Sequence, residues 1–266
     1  MNTNSSPRAL SRVRRRPSAA SYFARHPFQA LLIAALLILL SGSGRVFAAP
    51  SWPELPVPPK AETQWIGQNM RVNGAPTRVL GFQSRASRAE VVEYYRAHWT
   101  GSFEREPSVR SYQQSTIVAQ KIGPWFLTVK VEDGQRGESH GIISVAQLIG
   151  SRFDRSPGEL TLMPGAQVVS VVESDDPGKH SRQVVIITPQ MPAMVNNFYQ
   201  SSLTNSGWHQ IQLGELAAGH GQGGGRFVVY GRGNSEMQIT IMEPRKGRGS
   251  MMLANLVTND TGRGSP

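Results

Sequence analysis

Downstream of about residue 75 the chain alternates short β-branched runs with two stretches of helical spacing. In "FLTVKVED" (126–133), Leu127, Val129 and Val131 share one parity, and Thr128, Lys130 and Glu132 the other. That is the period of a strand in an antiparallel sheet with one buried and one wet face. After Ser87 the period changes. Val91, Val92, Tyr95, His98 and Trp99 fall at i, i+1, i+4, i+7 and i+8, one apolar stripe of a helix. Ser87 and Glu90 have the spacing of a capping box, in which each side chain satisfies the other's amide. A second helix is predicted from Pro192, whose missing donor is harmless in a first turn. Its stripe is Met191, Met194, Val195, Phe198 and Leu203, and Gly207 suits the left-handed residue that ends it.

These patterns occur twice. "TRVLGFQS" (77–84) precedes the first helix and "RQVVIITP" (182–189) the second, with Tyr95 and Tyr199 corresponding at an offset of 104. Gly101 with Phe103 echoes Gly207 with Trp208, "FLTVKVED" matches "QITIMEP" (238–244), and "GIISVAQL" (141–148) matches "MMLANLV" (251–257). Asn73-Gly74 and Asp176-Pro177-Gly178 occupy the equivalent turns. The predicted fold class is α+β, as two tandem similar modules. Each is a hairpin, a helix and three strands, with an antiparallel sheet and one helix packed on one face. Module 1 spans 64–149 and module 2 spans 160–258. Prolines at 50, 53, 56, 58 and 59 mark a semi-rigid linker over 49–63, and 259–266 read as a flexible tail.

The first 48 residues stand apart. They carry seven arginines and no carboxylate, then an apolar run over 28–40, a Ser/Gly break, and small residues at Val46 and Ala48 around Phe47. A basic region, a short apolar region and a small-x-small site form a secretory signal pattern, and export through Sec to the periplasm is expected. The alternative is an uncleaved inner-membrane anchor with periplasmic domains, which the short apolar run disfavours because a span needs about 20 apolar residues. Contact with a membrane is expected only through this segment, if it stays uncleaved. The net charge of +10 shrinks once the segment is set aside, to 21 basic against 18 acidic residues. No nucleic-acid partner is therefore expected. With no cysteine, disulfides, thiolate metal sites and a Cys nucleophile are excluded.

The chemistry-bearing residues do not converge. Gly219 to Gly225 contain a G-x-G-x-x-G, but Arg226 to Tyr230 read as a strand where a dinucleotide site needs a helix. The histidines lack metal-ligand spacing, so no metal and no cofactor is assigned. Asp175-Asp176 and Glu132-Asp133 are accounted for by turns. The binding candidates are Arg226, Arg232, Arg245, Lys246 and Arg248, a basic group on the last strands and a hairpin tip, with His209 and His220. A basic edge that discourages strand aggregation explains the same arginines structurally. No catalytic residue is assigned. The expected function is a non-enzymatic cell-envelope protein, a protein-interaction or assembly module with an envelope protein partner and a contact to anionic lipid or polysaccharide. The alternatives are a periplasmic hydrolase of cell-wall material, resting on His209 and His220, and a small-ligand-binding protein.

Overall fold

The structure, a computed structural model, describes residues 51–99, 106–112, 114–148, 150–217, 224–243 and 249–260. The expected signal segment, the echo residues Gly101 and Phe103, and all but the first two residues of the expected tail lie outside these.

Strands β1 (Ala61–Val72) and β2 (Ala75–Ser84) form the first hairpin. Asn73 and Gly74 join them with φ of 50° and 83°, the two left-handed residues of the tight turn whose twist suits a hairpin. Helix α1 (Arg88–Trp99) follows, then β3 (Ser108–Tyr112), β4 (Ser115–Ile122), β5 (Trp125–Asp133) and β6 (Ser139–Gln147). The second half runs β7 (Gln167–Asp176), β8 (Lys179–Thr188), α2 (Pro192–Asn205), β9 (His209–Leu216), β10 (Gly225–Arg232), β11 (Ser235–Met242) and β12 (Ser250–Asn259). Four strands, where three were expected, follow each helix. The additional ones, β3 and β9, are the two edges of the sheet. All five residues of β3 are exposed and none of β9 is buried, so neither carries an alternation to read.

The architecture is sheet-rich, with two helices and one large antiparallel sheet. Its twelve strands run in the order β3-β4-β5-β6-β2-β1-β7-β8-β12-β11-β10-β9. The expectation of a separate sheet in each half is corrected by β1 and β7, which pair antiparallel through Met70↔Ser174, Arg71↔Glu173 and Val72↔Val172.

Cross-strand partners share a face, so the register places both helices on the same side. Leu80, Val129 and Ile143 pack under Val91, Tyr95 and Trp99. Val184, Ile239 and Ala254 pack under Val195, Tyr199 and Leu203. These helix triplets are 104 positions apart, residue for residue. Three stripe residues are corrected: Met191 and Met194 are 67% and 52% exposed, and His98 is exposed and stacks on Tyr94. Tyr199 takes the core position instead. The reciprocal Ser87–Glu90 cap is in place, with Ser87 N to Glu90 Oε2 at 2.7 Å and Glu90 N to Ser87 Oγ at 3.3 Å. Gly207 (φ 81°) ends α2, and the Trp208 amide reaches back to the Leu203 carbonyl at 3.0 Å.

Two more expectations change. The proline-rich lead-in is docked, and β1 begins inside its expected range. Trp52 and Leu55 pack on the first core, Trp52 meets Trp125 at 4.6 Å, and the Tyr95 hydroxyl donates to the Pro56 carbonyl at 2.7 Å. Proline removes donors and leaves its carbonyl free to accept. The helix-free face, expected to be wet, holds Thr128 and Lys130 buried, together with Val79, Ile142, Ala146, Val185 and Leu253. In a sheet this wide, residues of inner strands are flanked on both sides, which parity along one strand does not reveal.

Candidate functional site

The seam where β1 meets β7 is built from the Asn73-Gly74 turn outward. Val172 is the last β7 partner of β1, and Asn73 continues the contact by one residue with a bond in each direction to Val171. The segment that crosses between the halves lies against the same turn, with the Asp154 amide donating to the Asn73 carbonyl at 2.9 Å. A Cβ on Gly74 would stand 2.2 Å from the Arg152 carbonyl oxygen, so only glycine admits the crossing segment here.

This arrangement leaves an open cleft of about 500 Å³, lined by Arg71, Pro76, Gln147, Ser151, Arg152, Asp154 and Glu173 among others. Its charges are not paired as the register would suggest. Arg71 stands opposite Glu173 across the seam, yet the Glu173 carboxylate is taken by Arg182, its opposite in β8. Arg182 also donates to the Ser156 carbonyl. Arg71 makes a long bond of 3.4 Å to the Gly74 carbonyl, and among the described residues neither Arg71 nor Arg152 has a carboxylate partner.

A second polar group lies on the helix-free face. Lys130 Nζ meets Glu132 Oε1 at 2.6 Å, and His140 Nε2, opposite Glu132 in β6, meets Oε2 at 3.3 Å. The hydrogen bond to His140 and then the Lys130 ammonium outweigh burial and hold the Glu132 carboxyl down at about 2. Ser115 is the opposite neighbour of Glu132 in β4, so hydroxyl, carboxylate and imidazole form a row with the acid in the middle. Acyl transfer needs the imidazole against the hydroxyl, and here the carboxylate separates them. Ser115 donates instead to the Tyr112 carbonyl. Among the described residues, no group of three or more His, Asp or Glu side chains is placed to hold a metal ion.

The residues singled out from sequence do not meet at one place. Arg226 pairs with Glu215, its opposite in β9, at 3.5 Å. Arg232 lies 4.5 Å over the Trp208 ring, donates to the Ser206 carbonyl and pairs with Glu159, which ties the end of α2 to the crossing segment. Intramolecular partners occupy both. His209 opens the edge strand β9 and is exposed. Arg245, Lys246, Arg248 and His220 lie outside the described residues, as does the Gly-rich segment up to Gly223. Arg71 and Arg152 escaped the sequence reading because nothing in their neighbours distinguishes them. The relevant signal in the sequence was the pattern that occurs twice, which leaves a boundary between its two occurrences.

Comparison with known proteins adds two likenesses. Residues 168–251, most of the second half, are similar to a START domain-like family. Among solved structures, the chain aligns with the immunity protein TplEi of T6SS from Pseudomonas aeruginosa, complexed with "L" peptide. That alignment has 12% identity over 79% of this chain and 86% of that one, at a TM-score of 0.24, below the level of a shared fold. No curated protein matches the sequence.

Proposed function

We propose that the chain is an exported, non-enzymatic binding protein of the cell envelope, formed by two copies of one α+β module over 64–149 and 160–258, which takes a protein partner at the seam between them. The observation that carries this reading is the seam cleft, an open polar recess between two hairpins of equivalent order, with two arginines unpaired by any described carboxylate. The buried helix triplets at a constant offset support the duplication. The row Ser115–Glu132–His140, in the wrong order for acyl transfer, favours binding over hydrolysis. The likeness of 168–251 to a START domain-like family fits a binding module as well. Sec-directed export, with cleavage near Ala48, rests on the basic and apolar pattern of the first 48 residues.

The test is photo-cross-linking in intact cells from a photoreactive residue at Ser151, with mass spectrometry of the adduct and of the chain's own N-terminus. A discrete adduct from Ser151, absent when the probe stands at exposed Gln238, together with a mature start near Ala49, supports the reading. Equal labelling from both positions, or an intact N-terminus in cytosol, overturns the seam or the export respectively.

A further inference from the structure

We infer that the seam cleft recognises one carboxylate of an acidic peptide segment through Arg71 and Arg152, an inference that rests on the seam reading above. The charge balance of the lining leads to this ligand. Arg71 would be neutralised by Glu173 if the cross-strand pair at the seam closed, because opposite charges directly across a ladder attract. Arg182 holds Glu173 Oε1 from β8, so the charge of Glu173 is already balanced and its side chain forms no ion pair with Arg71. Arg152 sits on the crossing segment, which Asn73 holds in place and Gly74 leaves room for. Arg155, three residues on, lies over the Phe153 ring at 4.6 Å and is not part of the lining. One further acid, Asp154, lines the cleft, with its Oδ1 accepting the Ser156 amide at 2.7 Å.

Two arginines against one unneutralised carboxylate leave a single positive charge. A monoanion balances it, whereas inorganic phosphate or a phosphate monoester, carrying between one and two negative charges at neutral pH, would overshoot. Guanidinium groups present paired N–H donors that fit a planar carboxylate. The carboxylate of Asp154 remains available to accept amides from the peptide backbone on either side. Both arginines are exposed, so their desolvation cost is small and binding should weaken with salt.

The experiment uses the purified full-length protein and a labelled, end-blocked Gly-rich peptide carrying one Glu, with the Gln peptide as its comparison. Fluorescence anisotropy is read at low and at physiological ionic strength. The Glu peptide should bind, the Gln peptide should bind roughly tenfold more weakly or worse, and R71Q/R152Q should lose a similar factor, as expected for a charge-assisted bond. Arg226→Gln, remote from the cleft, should bind as the wild type does. Far-UV circular dichroism and melting of R71Q and R152Q singly verify that each folds. Equal binding of Glu and Gln peptides, an unaffected double variant, or displacement by inorganic phosphate or by vesicles of anionic phospholipid would overturn the inference. If the Ser151 adduct persists unchanged in R71Q/R152Q, the seam stands as a partner site and carboxylate recognition alone falls.

Discussion

Asn73 grips Val171 from both sides: its side-chain oxygen accepts the Val171 amide at 2.9 Å, and its own amide donates to the Val171 carbonyl at 2.7 Å. A turn residue of the first hairpin thereby acts as a further rung in the contact between the two halves. Asn73 is 2% exposed with φ of 50°, so the position demands left-handed backbone and a buried acceptor together. Asparagine meets both demands at modest strain.

Asn73→Ala should therefore cost about 2–4 kcal/mol, combining an unsatisfied buried amide with left-handed strain. Asn73→Gly removes the strain but still lacks the side-chain bond, so it should recover about 1 kcal/mol of that. Urea denaturation of both variants checks the order. Equal stability of the two would mean that the side-chain bond carries the whole effect.

Gly74→Ala should also be damaging, by about 1–3 kcal/mol or more, because the added Cβ meets backbone of the crossing segment and the residue has φ of 83°. Its melting temperature should fall by several degrees. Peptide binding at the seam should fall with it, since Arg152 is the residue displaced. A variant with wild-type melting and binding would show that the crossing segment is not held by this turn.

Tyr95→Phe removes the donor to the Pro56 carbonyl and should cost about 1 kcal/mol. More diagnostic is limited proteolysis. Cleavage between residues 51 and 60 should accelerate in the variant, while the strands stay protected. Unchanged cleavage would show that the contacts of Trp52 and Leu55 suffice to hold the lead-in.

Glu132 gives the protein an acid limb. Its carboxyl is lowered from 4.5 to about 2 in the folded state, so the unfolded chain binds the proton more tightly. The stabilisation is fully present above about pH 4.5 and is lost as the pH falls through about 2; the full shift corresponds to about 3 kcal/mol, which solvent screening reduces to about 2 kcal/mol. Glu132→Gln should flatten the stability curve over that window. It should also lower stability at neutral pH, because Lys130 is left buried beside a neutral partner. Parallel curves for wild type and variant between pH 5 and about 2 would contradict the assignment.

Several features could be read from neighbouring residues alone. The Ser87–Glu90 cap, the ends of α2 at Pro192 and Gly207, and the turns at Asn73-Gly74 and Asp176-Pro177-Gly178 depend on conformational preferences expressed within a few positions. The buried parity of β5 follows from strand geometry in the same way. Correspondence of Tyr95 with Tyr199 was visible as well, because like sequence repeated at a constant offset.

Tertiary structure alone decided the rest. That β1 pairs with β7, that β3 and β9 become edges, and that Lys130 is buried on the helix-free face all depend on which strands become neighbours. Asn73 and Val171 are 98 positions apart, and neither one's surroundings in the chain refer to the other. The same holds for the charges of the cleft. Arg71 has no carboxylate partner among the described residues because Glu173 pairs with Arg182 instead, a competition that exists once three strands lie side by side. Local sequence determines the conformation of each short segment, while the pairing of strands, and with it the unpaired charges of the seam, follows from free energies shared between residues distant along the chain.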